Sequence, residues 1–560
     1  MRKAFWSIVP FVVFLVGGGV GAAYYSQEPG YDRVISRVKL WTAGADSLGA
    51  NAPDAVAIRD GRVARLGRSA ELEALCVNPC VVEARPGEFL MPGLHDAHAH
   101  PMSGGAGFFR AQVSGSDVEQ IVRAIREYAV RNPGLAWIRG RGWSAAGFGD
   151  RLPTRQDLDR AEVRRPIVLS DSDGHSTWVN TAALTAAGVT RETKDPEGGK
   201  IVRDGRGEPT GVFLENASAL IYDKIPPATD EMLRTYILKG QEVGVAAGYT
   251  AFQGGPVSLD AARVYRELDR EGKLLQRAFL WADLEASDED FEKWLAFARE
   301  LPAEGRVQLT AFKGFVDGVV TTYTAALVDP YADKADTRGE PALRADRLHE
   351  LVLRANRAGY PAALHAIGDQ GVRMSLDAFA AARRILGENH ALRGMNRVEH
   401  IEVVHPADIP RFGELNVVAS MQPTHMHFGT MGSFYYRPRL GEARLPYVFA
   451  WNQLVKGGAL LNFGTDYPVV DQDPIEGIYC AIQRRFGNGN EFEPRNKVDP
   501  ETALRAYTQF PAESIGWGGR LGEIKVGQWA DLVAFARDPR TGSQSLSDNP
   551  PLRRWVGWIK

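Results

Sequence analysis

Through the middle of the chain, over roughly 400 residues, short apolar runs alternate with stretches whose apolar residues recur at helical spacing. Gln308 to Phe312, Pro361 to His365, Arg397 to Ile401, Val417 to Met421 and Leu460 to Phe463 read as strands. Between such runs, Ser116 is placed to cap a helix carrying Val118, Ile121, Val122 and Ile125, and Val372, Leu376 and Phe379 recur in the same way after His365. A strand followed by a helix, many times over, makes neighbouring strands parallel, because each helix returns the chain to the end where the last strand began. The options narrow to a closed (β/α)8 barrel or an open doubly wound sheet. No G-x-G-x-x-G follows a first strand, so the usual sign of the open sheet is missing.

The residues at the strand ends favour the barrel. His98 and His100 lie in H-D-A-H-A-H, directly after the strand-like Phe89 to Leu94. Residues two apart in an extended chain point to one side, so both imidazoles can reach a single metal ion. Alone, such a pair fits surface or capping histidines equally well. Four further ligand-capable residues, Lys313, His365, His400 and Asp466, each close or follow a strand-like run. Barrel enzymes collect their chemistry at the C-terminal ends of their strands.

The flanks read differently. From about Asp32 to Met91 short β runs such as Ala55 to Ile58 and Arg62 to Leu66 are broken by glycine turns, and Gly522 to Phe535 repeats the pattern late in the chain. The expected organisation is a distorted (β/α)8 TIM barrel over 92–517 with an insertion at roughly 105–240. A small composite β-sandwich domain would be assembled from 36–91 and 518–560. Ahead of it, 26–35 reads as a linker and 1–25 as a signal peptide or membrane anchor: Arg2 and Lys3 precede 21 uncharged residues, Phe5 to Tyr25. Either membrane reading puts the rest of the chain outside the cytoplasm, periplasmic or secreted, and attached to the membrane if the segment is not cleaved. Cys76 and Cys80, in C-V-N-P-C, form either a local disulfide or two buried thiols, and Cys480 is left over. With 66 Lys plus Arg against 69 Asp plus Glu, the charge of -3 argues against nucleic acid as a partner.

Taken in order, the motifs resemble the amidohydrolase superfamily, in the branch that includes N-substituted formamide deformylase. They are H-D-A-H-A-H, G-R-G-W around Trp143, D-G-H followed by W-V-N from His175 to Asn180, and K-G-F-V-D-G from Lys313. They continue through H-A-I-G-D at His365, R-V-E-H at His400, Q-P-T-H from Gln422, G-T-D-Y-P at Asp466 and G-Q-W-A-D-L. The resemblance covers the chain from about Ser36 to about Asp538; beyond it, where the family returns with one more β segment, Gly542 to Pro551 is polar.

The resemblance implies a metal centre, usually zinc, and because six ligands exceed what one tetrahedral ion needs, two divalent ions are expected. His98 and His100 match its first-strand pair, Lys313 its fourth-strand ligand, His365 and His400 the fifth and sixth strands, and Asp466 the eighth. In relatives with two metals a lysine at this place is carboxylated by carbon dioxide and bridges both ions. A plain salt bridge from Lys313 to Asp317 or Asp369 is the alternative. The implied activity is hydrolysis of a non-peptide C–N bond, of an amide or N-substituted formamide type, by a metal-bound hydroxide, with Asp466 as the proton carrier. Trp143, His175 and Gln422 are the expected substrate contacts on a small-molecule amide. His425 and His427 form a second H-x-H after the seventh strand, which supplies no ligand in the family, and read as pocket lining or packing. The rival readings are a mononuclear deaminase and a non-catalytic extracytoplasmic binding protein.

Overall fold

The structure is a computed structural model that describes residues 30–44, 52–144, 148, 152–171, 176–196, 199–427, 436–485, 489–541, 544–545 and 547–555. The 1–25 segment and His175 lie outside the described residues. No described helix is long and apolar enough to cross a membrane.

Eight parallel strands form one sheet, each pairing with the next in sequence: β1 (Leu94–Asp96), β2 (Tyr249–Gly254), β3 (Arg277–Asp283), β4 (Val307–Phe315), β5 (Ala362–Ala366), β6 (Arg397–His400), β7 (Val418–Met421) and β8 (Leu460–Phe463). The ring closes between β8 and β1 through the Ala97 amide on the Phe463 carbonyl at 3.1 Å and the Asp466 amide on the His98 carbonyl at 2.6 Å. Helices such as Leu259–Arg270, Ala345–Arg357 and Asp369–Leu386 cover the outside. The strands are apolar nearly throughout because the helices bury their outer face and the barrel interior their inner one.

That interior is filled in layers. Phe279 and Ala251 meet Ala512, Ile515 and Trp517, so the helix Gln509–Ser514 and the turn after it plug the lower end. One layer up, Trp281, Ala311 and Ala363 form the floor of the mouth.

Two four-stranded sheets make the small β domain. One holds Arg33–Ser36, Ala55–Arg59, Arg62–Gly67 and Val81–Ala84; the other holds Lys39–Leu40, Phe89–Pro92, Leu532–Phe535 and Pro551–Trp555. Ile35, Val56, Ile58 and Val63 of the first pack on Leu90, Leu532 and Ala534 of the second. N- and C-terminal segments thus share one core. Arg33–Ser36 begins inside the stretch read as linker, and the final strand does form, antiparallel to Leu532–Phe535, just after the polar 542–551 stretch.

The run Phe89 to Leu94, read as one strand, is divided: Phe89–Pro92 belongs to the β domain and β1 to the barrel. Gly93 sits at the break, where a Cβ would lie 2.2 Å from Thr250 Oγ1, so only glycine lets the chain pass from one sheet to the other. Between β1 and β2 a separate six-stranded sheet is inserted, from Ala111–Gly115 to Pro209–Glu215. Its helix Val118–Arg131 is capped by Asp117, which accepts from the Glu119 and Gln120 amides, rather than by Ser116. Cys76 and Cys80 form a disulfide with Cα atoms 5.3 Å apart, and Cys480 is a buried thiol.

One buried ion pair joins barrel and β domain: Arg277 Nε of β3 donates to Asp531 Oδ2 at 2.7 Å, with both side chains 1% exposed. Removing one partner strands a charge away from water. Asp531→Ala is expected to cost about 3–5 kcal/mol, read as a lowered midpoint in denaturant unfolding; a shift below about 1 kcal/mol would show that Arg277 finds other compensation.

Candidate metal centre

The site is built where β6, β8 and β1 end. β1 runs into Ala97, His98, Ala99 and His100, and the loop after β8 must reach across the barrel seam to meet it. Gly464 makes that possible, since a Cβ there would lie 2.4 Å from the His98 amide nitrogen. Asp96 then clips the loop in place: Oδ1 accepts from the Thr465 amide at 2.9 Å, and Oδ2 accepts from Thr465 Oγ1 at 2.6 Å and Gln472 Nε2 at 3.0 Å. Asp466, two residues past Gly464, is held in the left-handed region at φ 61. His400 and Ile401, at the end of β6, have φ 76 and 48. Such backbone costs of order 1–3 kcal/mol per residue and persists only where surrounding contacts enforce it, as they do at functional sites.

Asp466 is the centre of the arrangement. Its Oδ1 lies 3.0 Å from His100 Nε2 and 3.4 Å from His98 Nε2, and its Oδ2 lies 3.9 Å from His425 Nε2. Ligand-type atoms of His98, His100 and Asp466 all fall within 4.8 Å of one another, as do those of His400, His425 and Asp466. One carboxylate therefore joins two donor groups.

Two further carboxylates stand behind the histidines. His98 Nδ1 donates to Glu399 Oε2 at 2.6 Å, which leaves Nε2 as the lone-pair nitrogen turned toward Asp466. Glu402 plays the corresponding part for His425, with Oε1 at 3.4 Å from Nδ1. Glu399 is itself ion-paired to Arg397, whose Nη2 donates to the Ala97 carbonyl at 2.8 Å and to Ser420 Oγ at 2.7 Å. Burial alone would raise the Glu399 carboxyl; Arg397, then His98, hold it well below the usual carboxylate range.

Burial keeps His98, His365 and His400 neutral. Burial, then the charge of Lys313, lower His98 to about 4 and His365 to about 3. Burial also carries His400 well below its ordinary value. Lys313, inside β4 rather than at its end, is lowered to about 8 by burial, against the pull of Glu399 and Asp466. Roughly a tenth of such a lysine is neutral amine at pH 7. Among the described residues Lys313 has no ion pair. Asp317 instead accepts the Ile367, Gly368 and Ala326 amides at 2.8–3.0 Å, and Asp369 accepts the Val328 amide at 2.8 Å.

Residues 85–545 match the amidohydrolase family. The chain belongs to that family.

Among its relatives, the putative amidohydrolase YtcJ of Bacillus subtilis (strain 168) is 30% identical over 501 residues, 87% of this chain and 91% of its own. N-substituted formamide deformylase of Arthrobacter pascens is 27% identical over 524 residues, 90% of this chain and 94% of its own. The crystal structure of an uncharacterized metal-dependent hydrolase from Pyrococcus horikoshii OT3 shares the fold, with a TM-score of 0.77 at 24% identity over 91% of this chain and 98% of that one.

The residues of this amidohydrolase fit the divalent ion its family implies. The donors are imidazole and carboxylate, His98 and His400 are held neutral, and His400 Nδ1 is buried without a hydrogen-bond partner among the described residues. Of the six sequence-derived ligands, His98, His100, His400 and Asp466 are brought together directly. The His365 ring lies 4.4 Å from that of His400, though its Nε2 faces the Gly318 carbonyl at 3.3 Å. Lys313 Nζ stands over the Trp281 ring at 5.6 Å, and that ring meets His98 edge-on at 5.2 Å.

Among the expected substrate contacts, Gln422 is buried with both amide atoms unpartnered among the described residues. Trp143 differs from expectation: its indole is fully buried in the inserted sheet, donates to the Leu169 carbonyl at 3.1 Å and meets Trp178 edge-on, which makes it a packing residue. Glu399, Glu402 and the direct part taken by His425 were missed from sequence. The only available signal was the recurrence of Glu and His at strand ends.

Because Glu399 orients His98 without being within the donor groups, Glu399→Gln is expected to weaken retention of a divalent ion about 10–100-fold, measured by chelator competition on folded protein. Unchanged retention would make Glu399 only a counter-charge for Arg397.

Proposed function

We propose that this amidohydrolase cleaves a non-peptide C–N bond in an amide or N-substituted formamide, with two zinc-class ions held by His98, His100, Lys313, His365, His400 and Asp466. The observation that carries the reading is the position of Asp466 between the His98–His100 and His400–His425 donors. The similarity to N-substituted formamide deformylase points toward the substrate class. A divalent ion held there would supply Lewis acidity, polarising the substrate carbonyl and acidifying water.

The chain's own groups do the rest. Asp466 accepts the proton of the attacking water and passes it to the departing nitrogen, so that the C–N bond breaks with the proton placed on the amine. The unpaired Gln422 amide at the mouth would donate to, and accept from, the amide of the substrate. Carboxylation of Lys313 would use its neutral fraction and turn a cation into an anionic bridge. We also place the catalytic part of the chain outside the cytoplasm, held at the membrane by residues 5–25 if that segment is kept. The Cys76–Cys80 disulfide supports an oxidising compartment.

A panel of formamides, simple amides and aminopurines, run alongside metal analysis, tests the reading. Turnover of a formamide or amide with two ions per active chain is expected; turnover of aminopurines alone with one ion would replace it with a deaminase. Asp466→Asn keeps the shape of the side chain but cannot take the proton. Its turnover per folded, metal-loaded chain is expected to fall about a hundredfold to ten-thousandfold, and near-normal turnover would remove Asp466 from proton transfer.

A further inference from the structure

The inserted sheet carries three arginines with no matching carboxylate among the described residues. Arg139 and Arg141 are two apart in the strand Ile138–Trp143, so they share a face. The neighbouring parallel strand is registered Ala111 to Gly140 and Gln112 to Arg141, which puts Arg110 one step back, beside Arg139. All three are half-buried, and none forms an ion pair among the described residues. Elsewhere the arginines of this protein are commonly paired, as Arg160 with Glu119 and Arg165 with Glu162 in the same inserted region.

The cluster adjoins the metal centre. The helix Pro101–Gly107 runs from His100 towards Arg110 and carries Gly104, which meets Tyr467, the residue after Asp466. Tyr467 in turn packs so tightly on the helix that follows His100 that a Cβ on Gly104 would lie 1.9 Å from its ring. Beside Arg110, Phe109 meets Tyr236 with ring centroids 5.6 Å apart. Burial pushes the Arg110 guanidinium down to about 10, and Arg139 and Arg141 press it further, against Tyr222 and Tyr236. Holding like charges together and partly dry is unfavourable unless an anion completes the group.

We propose that Arg110, Arg139 and Arg141 form a subsite for a carboxylate carried by the substrate, beside an apolar surface of Phe109 and Tyr236. A guanidinium offers two parallel N–H donors to the two carboxylate oxygens, which suits this geometry better than a point charge would. The subsite deepens the amide-hydrolase reading, on which it rests: the preferred substrate is an N-acyl or N-formyl compound with an anionic group on the nitrogen side.

The test uses the full-length, metal-loaded chain and two probes differing only in that group, N-formylphenylalanine and N-(2-phenylethyl)formamide. The wild type is expected to favour the carboxylate probe at least tenfold in kcat/KM. Arg139→Gln combined with Arg141→Gln should abolish that preference and leave the neutral probe unchanged, and Arg141→Lys should retain part of it. Equal kcat/KM for the two probes, or a preference that survives the double variant, would overturn the subsite while leaving the hydrolase reading intact. Calorimetric titration with phenylpropionate covers the case in which neither formamide turns over. Binding lost in the double variant would then support the subsite and count against the formamide reading, whereas equal binding, or none, would overturn the subsite. Circular dichroism of each variant identifies any that fails to fold, and Arg110→Gln then replaces it.

Discussion

A buried ion pair beneath the mouth of the barrel, Arg397 with Glu399, sets what stands above it. Both side chains are almost wholly out of water, 2% and 0% exposed. A buried pair of this kind is costly to form and more costly to break, because the remaining charge has nowhere to be solvated. Arg397 spends its other donors on Ala97 after β1, Gln253 of β2 and Ser420 of β7, and its guanidinium lies over the Trp281 ring of β3 at 4.8 Å. Five strands are thereby tied at one level. Glu399 passes the constraint upward by fixing the tautomer and direction of His98.

The opposite side of the site is held by backbone. Asp96 gathers the Thr465 amide and hydroxyl and the Gln472 amide, and Gly464 lets the loop approach His98 closely enough for the Asp466 amide to reach its carbonyl. Asp466 is consequently fixed in a strained left-handed conformation with its carboxylate between two groups of histidines. The strain is offset by barrel closure itself, since the same contacts join β8 to β1. Closure of the fold and construction of the site are one event.

The inserted sheet is a separate six-stranded unit. Its own core of Trp143, Trp178 and Leu169 is separate from the barrel core, which leaves the insert free to vary without disturbing the metal ligands. Loops and insertions at the C-terminal face are where barrel enzymes of one chemistry acquire different substrates. The proposed arginine subsite fits that division of labour.

Much of this was legible in the sequence. The β-then-α alternation called for parallel strands, and His98, His100, Lys313, His365, His400 and Asp466 could be singled out as candidates because they close or follow strand-like runs, while the family resemblance supplied their expected roles. Local pattern reaches that far because strand period and turn chemistry are properties of neighbouring residues. It could not show that Glu399 faces His98, a contact 301 positions apart in the chain. Nor could it show that His425 turns toward Asp466, that Trp143 packs inward, or that the run from Phe89 serves two different sheets. Each of these depends on which side chain fills the space left by distant elements, and that space exists only once the barrel has closed.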